Sequence, residues 1–169
     1  MAEEAVRYSV YPRVLIFVFK NNKLLMMKYS GKGEHMTKEK EERKDIYNCI
    51  GGHVEEGENV VESAVKEASE EAGIKLLNPK IRGIINVNGF AGKNVMNFIV
   101  SGTTQDEPRG STLEGELVWI NPEDIENLNV FPDMSAILEK LSSLMGSEIF
   151  VGTAKFEGFK LQNISLHNI

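Results

Sequence analysis

Glu67, Glu70 and Glu71 stand at i, i+3 and i+4, the spacing that brings side chains out on one face of an α-helix. At ~100° per residue the three span roughly 100° of helix surface. That arc lies away from an apolar stripe of Val61, Ala64, Val65, Ala68 and Ala72. Like charges so placed repel by roughly a few tenths of a kcal/mol per pair, and a divalent cation would relieve the repulsion. Carboxylates on a rigid element suit a hard ion, Mg2+ or Mn2+, that keeps water and phosphate oxygens among its ligands. Three glutamates alone read equally well as a solvated acidic face, so their surroundings decide.

The element carrying them is the clearest helix of the chain. Asn59 is a good N-cap, Glu62 stands where a capping-box glutamate belongs, and Gly73 ends the helix at a C-cap position. Upstream, residues 46–50 read as a short strand running into Gly51-Gly52. Before that, residues 14–19 and 23–29 are β-rich runs joined by Asn21-Asn22, a hairpin signal. Residues 30–45 are densely charged and read either as a solvated surface loop or as a rim over a binding site. Residues 81–90 and 93–102 read as two strands of a meander, and residues 116–120 as another strand stopped by Asn121-Pro122. A second helix is expected over residues 134–145, entered through Pro132-Asp133. Residues 148–156 and 159–167 form a final hairpin turning at Glu157-Gly158. Hairpins and meanders with two or three helices, without alternating βα units, indicate an α+β class.

The 169 residues suit one domain, with 41% hydrophobic and 26% charged residues as in ordinary globular proteins. The longest apolar run, residues 14–19, is far short of the ~20 residues that cross a bilayer, so no membrane partner is expected. A net charge of −6 argues against a nucleic-acid polymer as partner, because such binding depends on neutralising phosphates with Lys and Arg. A small nucleotide remains open to an acidic protein if cations bridge carboxylates to phosphates. Cys49 is the single cysteine, which precludes an internal disulfide. With the acidic start Met1-Ala2-Glu3-Glu4, it fits a cytoplasmic chain acting as monomer or homodimer. One cysteine and three scattered histidines (His35, His53, His167) cannot build a soft-metal site.

The stretch from Gly52 to Ile74 resembles the Nudix box, G-x5-E-x7-R-E-U-x-E-E-x-G-U, in which U is a bulky aliphatic residue. Gly52, Glu58, Glu67, Glu70, Glu71, Gly73 and Ile74 all fall in register. Lys66 stands where the box has arginine, and Ala68 is a small occupant of the first aliphatic position. Lysine keeps the charge but loses the planar fork, and it could equally pair with Glu62 or Glu70 along the helix. The resemblance implies an α/β/α sandwich, a mixed sheet flanked by helices, over a single domain spanning residues 1–169. It also implies that Glu67, Glu70 and Glu71 hold Mg2+ or Mn2+, with the Gly51 carbonyl completing the inner shell. Glu67 or Glu70 would place or deprotonate the attacking water, with Glu58 and Gly52 in supporting roles. Glu114 is the candidate for a further ligand from a downstream loop, ahead of Glu116.

Beyond the box, the chain is similar to the MutT-like branch, in particular to oxidised-purine nucleoside triphosphatases. Tyr47-Asn48-Cys49-Ile50-Gly51-Gly52 resembles their Trp-Asn-Gly-Phe-Gly-Gly lead-in, Phe131-Pro132-Asp133 their Trp-Pro-Asp, and residues 150–161 their C-terminal hairpin. By this resemblance Asn48 and Asp133 read the base and Phe131 stacks on it. From the residues alone, Asn48 could instead be a turn residue, Asp133 the N-cap of the second helix, and Phe131 a core residue. His53 either touches a phosphate or points to solvent, and Cys49 reads as a small buried residue. Met134 departs from the branch, which has a second aspartate there. The implied activity is hydrolysis of a nucleoside triphosphate such as 8-oxo-dGTP to the monophosphate and pyrophosphate. Cleavage of ADP-ribose, a dinucleoside polyphosphate or another diphosphate derivative is the alternative, and a non-catalytic nucleotide-binding module is a third.

Overall fold

The computed structural model describes residues 7–32 and 41–169. Half of the charged segment 30–45 (residues 33–40, with His35) and the first six residues lie outside them. Nine strands form one mixed sheet: β1 (Tyr11–Lys20), β2 (Lys23–Tyr29), β3 (Tyr47–Asn48), β4 (Ile50–His53), β5 (Leu77–Phe90), β6 (Lys93–Thr103), β7 (Gly115–Ile120), β8 (Phe150–Gly158) and β9 (Lys160–Asn168). Asn21 and Asn22 both take positive φ, 50° and 62°, which matches the twist of a two-residue hairpin turn.

That hairpin is short. β1 and β2 stay paired only at Phe19–Leu24 and Lys20–Lys23 and then separate. The chain from Tyr47 to His53 fills the gap by changing partner midway. Tyr47 and Asn48 pair with Lys28 and Met27 of β2, while Ile50 to His53 pair with Ile16 to Arg13 of β1. The single strand expected over residues 46–50 is therefore two, broken at Cys49 where the chain crosses over. β1 runs parallel to β6 and β5 parallel to β8, while the β5–β6 and β8–β9 hairpins are antiparallel. β7 pairs with the outer edge of β2.

Both faces of the sheet are covered. On one, Phe17, Leu24, Met26, Ile85 and Phe150 pack under helix α2 (Met134–Ser143) through Met134, Ile137 and Leu138. On the other, Ile16, Val18, Leu25, Met27 and Val100 pack under helix α1 (Val60–Glu67) and its continuation through Ala64, Ala68 and Ala72. Consecutive residues of β2 thus go to opposite cores, each contributing ~2 kcal/mol on full burial, which explains its unbroken apolar run. The result is the expected mixed sheet with helices on both faces and a C-terminal hairpin. α2 ends at Ser143, earlier than residue 145, and Met145 is 76% exposed. No helix among the described residues is long and apolar enough to cross a membrane.

Candidate active site

α1 starts on a full capping box. Asn59 Oδ1 accepts from the amides of Val61 and Glu62, and Glu62 Oε2 accepts from the Asn59 amide at 2.9 Å. After Glu67 the helix widens into one π turn, Ala68–Ala72, and stops at Gly73 with φ 69°, where only glycine sits without strain. The buried stripe is narrower than periodicity suggests. Ala64, Ala68 and Ala72 are fully buried, but Val65 is 39% exposed, Val61 is half-buried, and Ser63 takes an interior place. Small side chains let the helix lie close on the sheet, and the Ser63 hydroxyl donates to the His53 carbonyl of β4 at 3.2 Å.

This close approach sets two glutamates against the glycine bend. The Gly51 amide donates to Glu71 Oε2 at 2.9 Å. The Glu67 carboxylate occupies the space a Cβ on Gly52 would need. Gly51 and Gly52 line the same cleft as these glutamates. Burial lifts the Glu71 pKa to about 7 despite the Gly51 bond, with Glu114 and Glu67 adding to the rise. Glu67 is raised by burial and by Glu70.

Glu70 is exposed and, with Glu67, Glu71 and the exposed Glu114, lines one open cleft. Among the described residues no three acids, histidines or cysteines close into a ready metal cage. An all-oxygen donor set is nonetheless the chemistry that a hard divalent ion fits. Glu116, on β7 opposite Lys28, does not line the cleft.

Lys66 pairs with Glu58 at 2.6 Å, not with Glu62 or Glu70. Glu58 also accepts from the Glu55 amide, so the pair braces the loop before the helix. The hydrogen bond holds Glu58 below and Lys66 above their ordinary pKa. His53 lines the same cleft, opposite Arg13 on the neighbouring strand. Partial burial and then Arg13 lower its pKa, which favours the neutral ring.

A second cavity, of about 50 Å3, lies where β1 and β2 part. Asn48, Phe131 and Asp133 all line it. Asn48 Oδ1 accepts from the Cys49 amide at 2.9 Å, which leaves the side-chain NH2 to donate. Asp133 occupies the N-cap position of α2 but makes no capping bond. It is 5% exposed, and burial lifts its pKa to about 6. Phe131 is 6% exposed and packs on Phe90 with ring centres 5.6 Å apart, so it is a core residue with one side on the cavity. Cys49 is buried beside Met134, and burial pushes its thiol pKa up.

Arg13, Tyr29 and Arg43, which sequence reasoning missed, line both spaces together with Gly51, which it named. Burial lowers the Arg13 pKa, while Tyr29, Glu71 and Glu67 push it back up. Tyr29 is pushed up to about 12 by burial and then by Glu71. Apart from Lys20 at its end, Arg13 is the one charge in a largely apolar strand, and that anomaly was its one available signal. Phe90, Asn97 and Phe156 complete the second cavity; lying on β5, β6 and β8, they have no shared motif.

The loop bearing Glu114 is fastened at both ends. The Arg109 amide donates to Ala72 O and its Nη2 to Ser69 O, both at 3.0 Å, which places a cation on the last carbonyls of the box helix. The Ser30 amide donates to Glu114 O at 2.8 Å, and Thr112 Oγ1 accepts from the Glu114 amide.

Comparison with known proteins agrees with this architecture. Residues 11–141 match the model of the NUDIX domain. The uncharacterized Nudix hydrolase YvcI of Bacillus subtilis (strain 168) is 30% identical over 123 residues, which cover 68% of this chain and 77% of YvcI. The crystal structure of a mutator MutT protein from Bacillus halodurans superposes with a TM-score of 0.76 at 23% identity, covering 93% of this chain and 97% of that one. MutT protein from Methanosarcina mazei Go1 superposes with a TM-score of 0.66 at 18% identity, over 82% and 96% of the two chains.

Proposed function

The chain belongs to the Nudix hydrolase family, and from that premise we propose that it cleaves a purine nucleoside triphosphate to the monophosphate and pyrophosphate with a magnesium or manganese ion. One observation carries the reading. A partly enclosed, aromatic-walled cavity carrying Asn48, Asn97 and Asp133 shares Arg13, Tyr29, Arg43 and Gly51 with a cleft of five carboxylates. The Tyr47–His53 segment joins them, with Asn48 at one end and the Gly51-Gly52 bend at the other. That is three or four extended residues, ~10–13 Å, about the reach of a nucleotide from base to phosphates.

In this reading Asn48 and Asp133 bind the purine edge and Phe131 and Phe90 wall the ring. A neutral carboxyl both donates and accepts, so the raised pKa of Asp133 suits an oxidised base such as that of 8-oxo-dGTP. Glu67, Glu70, Glu71, Glu114 and the Gly51 carbonyl would hold the ion, which when bound neutralises charge on the phosphate chain. Glu67 or Glu70 orients a water and takes its proton. The water oxygen ends on phosphorus, the anhydride P–O bond breaks, and pyrophosphate leaves. Lys66 holds Glu58 and so stiffens the loop that leads into the glutamate helix.

The test is kcat/KM for purified protein with Mg2+ over a panel of purine triphosphates, oxidised and not, with ADP-ribose and dinucleoside polyphosphates. A purine triphosphate is expected to lead. Turnover of ADP-ribose or a dinucleoside polyphosphate a hundredfold above any triphosphate overturns the reading.

A further inference from the structure

Arg43 ends the densely charged segment, outside the Nudix box. Its backbone is pinned against the end of β2: the Asp45 amide donates to Tyr29 O at 2.9 Å, the Tyr29 amide to Ile46 O at 3.0 Å and the Ile46 amide to Arg43 O at 3.1 Å. Asp45 turns the chain with φ 60° and pairs with Lys28 at 3.4 Å. This bracket sets the Arg43 guanidinium over the Tyr29 ring, 5.0 Å from its centre, a stack available to a planar cation.

From there Arg43 lines both the base cavity and the acidic cleft, together with Arg13. Two guanidinium groups share one neck, and among the described residues neither forms an ion pair with a carboxylate. The Arg43 Nε is enclosed and has no hydrogen-bond partner among those residues. An enclosed donor without an acceptor costs about 1–3 kcal/mol, and two cations held side by side add repulsion. An anion with several oxygens, lying between base and carboxylates, removes both costs.

We propose that Arg43, with Arg13, forms a two-guanidinium clamp on the phosphate chain, so that Arg43 is a specificity-determining residue selecting substrates with a diphosphate or longer. This rests on the nucleotide reading above and adds a role for the charged segment. Bidentate guanidinium–phosphate pairing supplies the geometry that a lysine in the same place lacks.

The probe is inorganic pyrophosphate, titrated calorimetrically into the full chain at low salt with EDTA present. Arg43→Ala is expected to weaken binding at least tenfold, and Arg43→Lys, which keeps the charge and the stem over Tyr29, to fall between it and the parent. Lys44→Ala, an exposed cation outside both cavities, should change binding less than twofold. With nucleoside triphosphate and Mg2+, Arg43→Ala should raise KM at least tenfold while kcat stays within threefold. Arg43→Ala binding pyrophosphate as the parent does overturns the clamp, as does a parent that hydrolyses triphosphates yet does not bind pyrophosphate. A parent that binds pyrophosphate through Arg43 but hydrolyses no triphosphate keeps the clamp and defeats the nucleotide reading.

Discussion

Asp133 is buried against the second cavity, and its pKa climbs from 3.8 to about 6 through burial. The native state therefore binds the proton more tightly than the unfolded chain, and stability falls as pH rises from about 4 to about 6 and stays low above that. At ~1.4 kcal/mol per pKa unit the loss is about 3 kcal/mol. Asp133→Asn should thus be more stable than the parent at pH 8 by about 1–3 kcal/mol, the gap narrowing toward pH 4. Urea melts across this range check it, and a gap that does not change with pH sinks the account. The Gly51-Gly52 bend that opens the box separates structure from chemistry in the same way. A Cβ at Gly51 would meet the Val14 carbonyl of the paired strand, so Gly51→Ala should cost about 1–3 kcal/mol of stability. A Cβ at Gly52 displaces the Glu67 carboxylate, and under the proposed mechanism that group, moved by an ångström, costs about 100-fold in rate. Gly52→Ala should therefore lose about 100-fold in kcat/KM with a smaller shift in melting temperature. At this scale the glutamates and glycines were legible because they share one spaced motif. Arg13, Arg43 and Asn97 were not, because each reaches the site alone from a different strand or loop.

The box helix was readable in its caps, which are local, and misread along its buried side, which is not. Ser63 and Val65 stand two residues apart, on different faces of the helix, and apolar periodicity favours the valine. The sheet beneath instead offers a carbonyl, His53 O, that a serine satisfies. Ser63→Ala should cost about 1 kcal/mol, the usual worth of a buried hydrogen bond, whereas Val65→Gln should stay within about 0.5 kcal/mol. Denaturant midpoints for the two variants decide it, and a larger loss at Val65 would refute the burial assignment. The π turn that carries Glu70 and Glu71 was invisible to a helical wheel, since an i→i+5 bond leaves no residue signature. The Lys66–Glu58 pair spans eight residues and bridges loop to helix, so no count along the helix could have found it.

For the whole molecule, the decisive event is the early parting of β1 and β2, after only two paired positions on each strand. Local hairpin signals foretold the turn but not the separation, because the strands that replace the missing partners come from residues far along the chain. The same holds for the parallel β1–β6 and β5–β8 pairings. The proposed separate lodging of base and phosphates predicts separable defects. Asn48→Ala should change the preference among purine triphosphates by about 10- to 100-fold, the loss expected for one buried donor. Glu70→Gln should lower kcat for all of them by a common factor. Ratios of kcat/KM across the panel measure this, and a Glu70 variant with altered base preference would contradict it. A last consequence concerns the Arg109 tether between the glutamate helix and the loop of Glu114. Because one side chain and one amide latch the two together, neither can shift without dragging its neighbour, so cargo gripped by the loop would tug on the helix tail. Slower deuterium uptake at the Arg109 and Gly73 amides would register such a pull from the far side of the cleft.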